Sequence, residues 1–352
     1  MRTNTRALLT SLSAVAGAAF LTAATAAEIS GAGATFPAPV YQKWAEAYKK
    51  ETNVGLNYQS IGSGGGIKQI EAGTVTFGAS DKPLEQKELE TNGLVQWPMV
   101  IGGVVPTVNI EGVKPGELVL DGPTVADIYL GTISKWNDPK IKALNPSVNL
   151  PSTAIAPVYR SDGSGTNFLF TTYLSSVSSK FKSDIGADAS VQWPTGLGAK
   201  GNEGVANMIA RTSGAIGYIE YAFVKQNKMT YAKMKNRDGK LVSPEIKSFQ
   251  AAAASADWSK APGYYLILVD QAGGETWPIT GASFIIMHKD VKDAADSLTA
   301  LKFFSWAYDK GDKMAEELDY VPMPDKTVAA IKRAWSAQIK DKDGKPLVAL
   351  SN

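Results

Sequence analysis

Residues 37–58, PAPVYQKWAEAYKKETNVGLNY, decide the fold. Val40, Trp44, Ala47 and Tyr48 recur at the spacing of one helical face. Pro37 and Pro39 stand in the first turn, where a missing N–H does no harm. Val54, Leu56 and Tyr58 then alternate, as in a strand with one buried face. Outward from this pair the alternation of helix and strand continues. Ile67–Ala72 is a short helix after a glycine cluster, and Phe77–Ser80 is a short strand. Val100–Val108 is a nearly continuous apolar run, the mark of a buried central strand. Further on, Pro123–Leu130, Asn167–Leu174 and Ser297–Tyr308 read as helices, and Ile155–Tyr159, Ala215–Ile219 and Ser283–Met287 as strands. Asp325 is expected to cap a last helix bearing Val328, Ile331 and Trp335, and the charged tail after Asp341 to be loose. Strands alternating with helices predict an α/β class with mostly parallel sheets.

The 352 residues, 44% of them hydrophobic, suffice for two domains with cores of their own. Residues 1–27 stand apart. Arg2 and Arg6 precede an uncharged apolar run, Ala7–Leu21, which ends in small residues. This is the layout of a secretory signal peptide, cleaved after Ala26 or Ala27. No cysteine is present, so no disulfide and no lipid-modified cysteine is possible. A secreted chain without a tether points to the periplasm of a Gram-negative bacterium. The signal carries two arginines and no acid, so the remaining chain is formally neutral. A neutral protein does not hold an anion by bulk charge, and nucleic acid is disfavoured as a partner.

Three glycine-flanked, hydroxyl-rich segments each lead into a predicted helix: Gly31–Pro37, Ser60–Gly66 and Arg160–Thr166. The first N–H groups of a helix lack partners within it, and the helix dipole places positive charge there. Glycine lets a ligand approach the backbone, and Thr35, Ser63, Ser164 and Thr166 add hydroxyl donors. Each helix start is worth ~0.3–2 kcal/mol to an anion. Each charge-assisted hydrogen bond adds about 1.5–3 kcal/mol. Taken singly, any of these segments is also an ordinary cap or turn.

The ordered series GAGATFPAPVYQKW, GSGGGIKQI, FGASDKPL, VIGGVVP, DGPTVADIYLG, SDGSGTNF, KGNEGVANMIA, GAIGYIEYA and ADWSK resembles the periplasmic phosphate-binding proteins of ABC transporters. The resemblance runs from about Ile29 to Pro346. It implies a two-lobed periplasmic binding protein of type II character. Each lobe would be a mixed, mostly parallel sheet flanked by helices, with two hinge crossovers. One lobe is expected over residues 28–109 plus 281–346, the other over 110–280, with 347–352 a loose tail. It also implies a phosphate site. Thr35 and Phe36 donate from the first helix start, and Ser63 from the second loop. Arg160 supplies the cation, and Ser164, Gly165 and Thr166 donate from the third helix start. Asp81 accepts a proton from the ligand.

Asp81 carries the selectivity. Phosphate keeps at least one proton at neutral pH and sulfate keeps none. Sulfate would leave a buried charged acceptor unsatisfied, at about 1–3 kcal/mol or more, with repulsion added. Arg160 is expected to pair with Asp81 or the ligand and so keep the carboxylate ionised. The function implied is binding of phosphate over sulfate and delivery to the permease subunits of an ABC importer, as a monomer without cofactor or catalysis. The alternatives are a secreted phosphatase or a phosphate-binding surface protein.

Other signals are discounted. Gly196–Gly201 matches G-x-G-x-x-G but follows Pro194 and Thr195 instead of a β-run. Ser161–Gly165 departs from the nucleophile elbow at Asp162. His288 is the sole histidine, which leaves little for zinc or copper. Tyr218, Tyr221 and Phe223 are read as core, not as a sugar platform.

Overall fold

The computed structural model describes residues 28–348. The signal-peptide reading of 1–27 lies outside them. The chain opens with strand β1 (Glu28–Gly33), helix α1 (Ala38–Thr52), β2 (Gly55–Ser60), α2 (Ser63–Glu71), β3 (Phe77–Ser80), α3 (Gln86–Thr91) and β4 (Leu94–Val108). β1 pairs in parallel with β2 and β3. In α1 the two prolines occupy the first turn, and Val40, Tyr41, Trp44 and Tyr48 form the buried face.

β4 organises the molecule. All 15 of its residues are buried. Leu94–Gly103 pairs antiparallel with the Thr280–His288 strand, which also pairs with β3. Val104–Val108 pairs antiparallel with the Ala215–Glu220 strand, which is joined in parallel to Ala156–Arg160 and through it to Leu197–Ala199. The sheet therefore changes partners midway along one strand, and that change separates two lobes. Beside it the Val104 N–H donates to the Ile279 carbonyl (2.8 Å), and the Trp277 indole N–H donates to the Val104 carbonyl (2.9 Å). The two main crossings between the lobes thus run side by side.

Four features differ from the sequence reading. β4 begins at Leu94, because Gln96 and Pro98 interrupt the apolar pattern without breaking the strand. Gln96 is satisfied internally by Leu84 N–H and carbonyl and by the Gly263 carbonyl, each at 2.8 Å. The Thr280–His288 strand shifts register at Ser283/Phe284, where it passes Pro98. Asp325 is not the cap of the last helix; Pro324 takes that place and Asp325 stands in the first turn, favourable to the dipole. The tail folds back as far as Val348, with Leu347 N–H on the Ile339 carbonyl (2.9 Å) and Val348 accepting from Ser336 Oγ (2.8 Å), and the loose end expected at 349–352 lies outside the described residues. Residues 258–264 also leave the second lobe's sequence range to pack on the first: Trp258 meets Phe284 edge-on, and Gly263 accepts from Gln96.

Candidate functional site

The three glycine-flanked segments meet between the lobes. β1 ends at Gly33 and delivers Thr35 and Phe36 to the start of α1. β2 ends at Ser60 and delivers Ser63, the first residue of α2. The Ala156–Arg160 strand delivers Ser164, which caps the Gly165–Val177 helix by accepting from the Asn167 N–H (3.0 Å). β3 ends beside Asp81.

Short contacts tie the set into a ring. Ser63 Oγ accepts from the Gly165 N–H (2.9 Å) and the Asp81 N–H (3.2 Å). Thr35 Oγ1 accepts from Asn202 Nδ2 (2.7 Å) and the Asn202 N–H (3.0 Å). Asn202 Nδ2 also donates to Thr166 Oγ1 (3.2 Å). Gly165 lies so close to Asp81 that a β-carbon on it would sit 2.5 Å from Asp81 Cβ. Around the rim the lobes meet through Lys82–Asp188 (2.6 Å), Lys225–Asp319 and the Gly64 N–H on the Gly163 carbonyl (2.9 Å). The arrangement is the closed one, and Thr35, Ser63, Asp81, Arg160, Ser164 and Thr166 are all buried.

The hydrogen-bond roles of the hydroxyls are fixed by their neighbours. A hydroxyl has two lone pairs and one proton to give. Thr35 and Ser63 each accept two bonds, so only their O–H remains. Ser164 and Thr166 each accept one. Among the described residues no acceptor takes the N–H of Thr35, Phe36, Ser63 or Thr166. The site is thus rich in donors with nothing to donate to.

The two charged residues behave differently from the sequence expectation. Arg160 pairs with Asp162, not Asp81: Nε donates to Oδ1 (2.8 Å) and Nη2 to Oδ2 (2.6 Å). The reason is local, since two residues of turn place the carboxylate opposite the planar fork. Arg160 Nη1 is left buried without a partner. Burial alone would raise the Asp162 carboxyl; Arg160 overrides it and holds it below the ordinary range. Asp81 Oδ1 is likewise buried without a partner. Burial drives the Asp81 carboxyl up to about 7, against opposing pulls from Ser283 and the Arg160 charge. The Ser283 hydroxyl stands near it but makes no well-formed hydrogen bond. Arg160 therefore does not keep Asp81 firmly ionised in the closed cleft. Two expected donors are also spent within the protein. The Ser164 N–H goes to the Ala189 carbonyl (2.9 Å), and the Gly165 N–H goes to Ser63.

A stability prediction follows from the raised acids. Asp81, and Glu220 behind the site, both hold protons more tightly folded than unfolded; for Glu220 the cause is burial, opposed by Tyr320 and the Ala222 N–H. Where the folded state binds more protons, stability falls as pH rises. For Asp81 the window runs from about pH 4, the ordinary carboxylate range, to about 7. The unliganded wild type should lose on the order of 1–4 kcal/mol across that window relative to Asp81→Asn, read from urea unfolding. A pH-independent difference between the two proteins would refute the assignment.

Sequence reading missed Asn202, Asp162 and Tyr218 as parts of this site. Tyr218 accepts from the Arg160 N–H (3.0 Å) and donates to Asn167 Oδ1 (2.5 Å), so it braces both sides of the third segment. Tyr218, Tyr221 and Phe223 are buried, as read. The pointers to Asn202 are the KGNEGVANMIA stretch and its place after Gly201, at a helix start like the other three.

The profile of the PBP superfamily domain matches residues 18–311. Phosphate-binding protein PstS of Xylella fastidiosa is 50% identical over 313 residues, 89% of this chain and 86% of that one. Phosphate-binding protein PstS of Pasteurella multocida is 49% identical over 319 residues, covering 91% and 93%. Among solved structures, a high-affinity periplasmic phosphate-binding protein named PfluDING, bound with phosphate, superposes with a TM-score of 0.72 at 20% identity, covering 92% of this chain and 99% of that one. The phosphate-binding protein of Stenotrophomonas maltophilia gives 0.67 at 23%, covering 91% and 96%. These structures share the two-lobed fold. With relatives half identical along nearly its whole length, the chain belongs to the PstS family of phosphate-binding proteins within the PBP superfamily.

Proposed function

We propose that this protein captures inorganic phosphate, closes over it and delivers it unchanged to the permease subunits of an ABC importer. One observation carries the reading. A closed, buried site holds an unpartnered guanidinium N–H on Arg160, an unpartnered carboxylate oxygen on Asp81, and hydroxyls whose lone pairs are already engaged. Such a set fits a small tetrahedral oxyanion that presents lone pairs on most oxygens and a proton on one. Thr35, Phe36, Ser63, Arg160, Ser164 and Thr166 serve as donors, Asp81 as the acceptor, and Gly165 provides room for close contact between the lobes. The lobes are taken as 28–109 with 281–346 and 110–280. The periplasm is the compartment this role requires, and the names of the relatives support a binding protein over an enzyme.

Calorimetry with phosphate and sulfate tests the reading. Tight phosphate binding with negligible sulfate binding is expected; comparable affinities would overturn it. Saturating phosphate should also change the fluorescence of the eight tryptophans or the radius of gyration, since ligand favours the closed arrangement. A phosphatase would need a positioned metal or base. Among the described residues no three His, Cys, Asp or Glu cluster to hold a metal. Turnover of p-nitrophenyl phosphate above background, with or without divalent ions, would favour that rival.

A further inference from the structure

We propose that Asn202 is a positioning residue that leaves the Thr35 hydroxyl only a proton to give toward the ligand, and that it does so only when the lobes are closed. The proposal rests on the phosphate reading above and adds a residue that does not itself touch the ligand.

Asn202 is fully buried in the first turn of the Gly201–Arg211 helix. Its neighbours fix the orientation of its side chain. Oδ1 accepts from the Glu220 N–H (3.0 Å), so Nδ2 must face the other way. There it gives one proton to Thr35 Oγ1 (2.7 Å) and one to Thr166 Oγ1 (3.2 Å). The backbone N–H of Asn202, one of the unpaired donors of a helix start, goes to Thr35 as well (3.0 Å). Every donor of this residue is therefore spent on the two threonines. Thr35 belongs to the first lobe and Thr166 and Asn202 to the second, so the Thr35 bonds exist only in the closed arrangement.

The consequence is chemical. A free threonine hydroxyl can give or accept a proton, and would tolerate a protonated ligand oxygen. With both lone pairs of Thr35 engaged, its remaining capacity is donation. A ligand oxygen beside it must then be bare, which steers the ligand's proton toward the unpartnered carboxylate oxygen of Asp81. Asn202 thus enforces the protonation pattern that Asp81 reads. The same amide extends the connection backward. Glu220 Oε2 accepts from Tyr320 Oη (2.8 Å), and Tyr320 Oη also contacts the Phe36 carbonyl (2.6 Å). One buried chain of polar groups therefore braces both residues of the first helix start.

The test compares phosphate binding by calorimetry for the wild type, Asn202→Asp, Asn202→Ala, Thr35→Val and Thr35→Val/Asn202→Ala, each checked for folding by thermal unfolding. Asn202→Asp keeps the shape but offers an acceptor. Thr35 should then turn its proton to the new carboxylate, with an expected loss of about 100-fold or more. Asn202→Ala leaves Thr35 free to donate, so about 10-fold is expected. In the Thr35→Val background the Asn202→Ala loss should shrink at least about threefold, because its main partner is gone. Asn202→Asp binding as well as Asn202→Ala, or equal Asn202→Ala losses in both backgrounds, would overturn the proposal. If Asn202→Asp does not fold, the double-mutant comparison decides alone. Failure of the wild type to bind phosphate would instead sink the reading of the site.

Discussion

Asp81→Asn is expected to bind sulfate and phosphate with comparable affinity. In the wild type Asp162 takes the Arg160 fork, so the Arg160 charge only partly offsets the burial of the Asp81 carboxylate. Burial makes the carboxyl an avid proton acceptor, with its titration pushed up to about 7. A ligand that brings a proton satisfies it. A ligand without one meets an unsatisfied charged acceptor at close range, at about 1–3 kcal/mol or more before repulsion is counted. Asparagine removes the charge, and its amide can donate where the carboxylate could only accept. Phosphate should lose about 10-fold, because a neutral acceptor replaces a charged one, while sulfate gains about 100-fold or more. Calorimetry with both anions at neutral pH checks this, and a variant that still rejects sulfate as the wild type does would end the case for Asp81 as the discriminator.

The second large effect separates folding from closure. Gly165 is the first residue of its helix, and a β-carbon there would sit 2.5 Å from Asp81 Cβ and 2.7 Å from Asp81 Cα and N. These atoms belong to the backbone or are fixed to it, so no side chain can swing aside. Alanine is otherwise welcome at a helical position, by ~0.5–1 kcal/mol over glycine. Gly165→Ala should therefore melt at or above the wild-type temperature. Its phosphate affinity should fall about 100-fold or more, because the lobes can no longer meet without strain of about 1–3 kcal/mol and the bonds across the cleft are lost with it. Scattering from the phosphate-saturated variant should match the unliganded wild type. Wild-type affinity in a stably folded Gly165→Ala protein would show that the two segments do not approach as described.

Much of this was legible in the sequence because it is local. Helical spacing from Val40 to Tyr48 and the apolar run of β4 depend on near neighbours, and so do hydroxyls placed at helix starts. The misreadings arose where distance mattered or where a local rule was overridden. For Arg160 the sequence offers Asp81 or the ligand as partner, and the nearer Asp162 has the geometry to take its fork. Gln96 and Pro98 hid the first six residues of β4, because a buried amide can be satisfied by a loop that sequence does not place there. Asn202 directly follows a glycine pattern discounted for nucleotides, and its bonds to Thr35 form only when residues 167 positions apart are brought together. Polarity was read well at single residues. Whether each hydroxyl gives or receives could be settled only from its neighbours in space.

The paired crossings at Val104 and Ile279 bear on how the cleft reopens. Two strands laced by hydrogen bonds flex readily across their plane but resist sliding past one another, as the spine of a book does. The halves of this molecule should therefore swing apart about one line, and the Lys82–Asp188 contact across the rim must break as they do. Whatever strains that contact then favours the open arrangement.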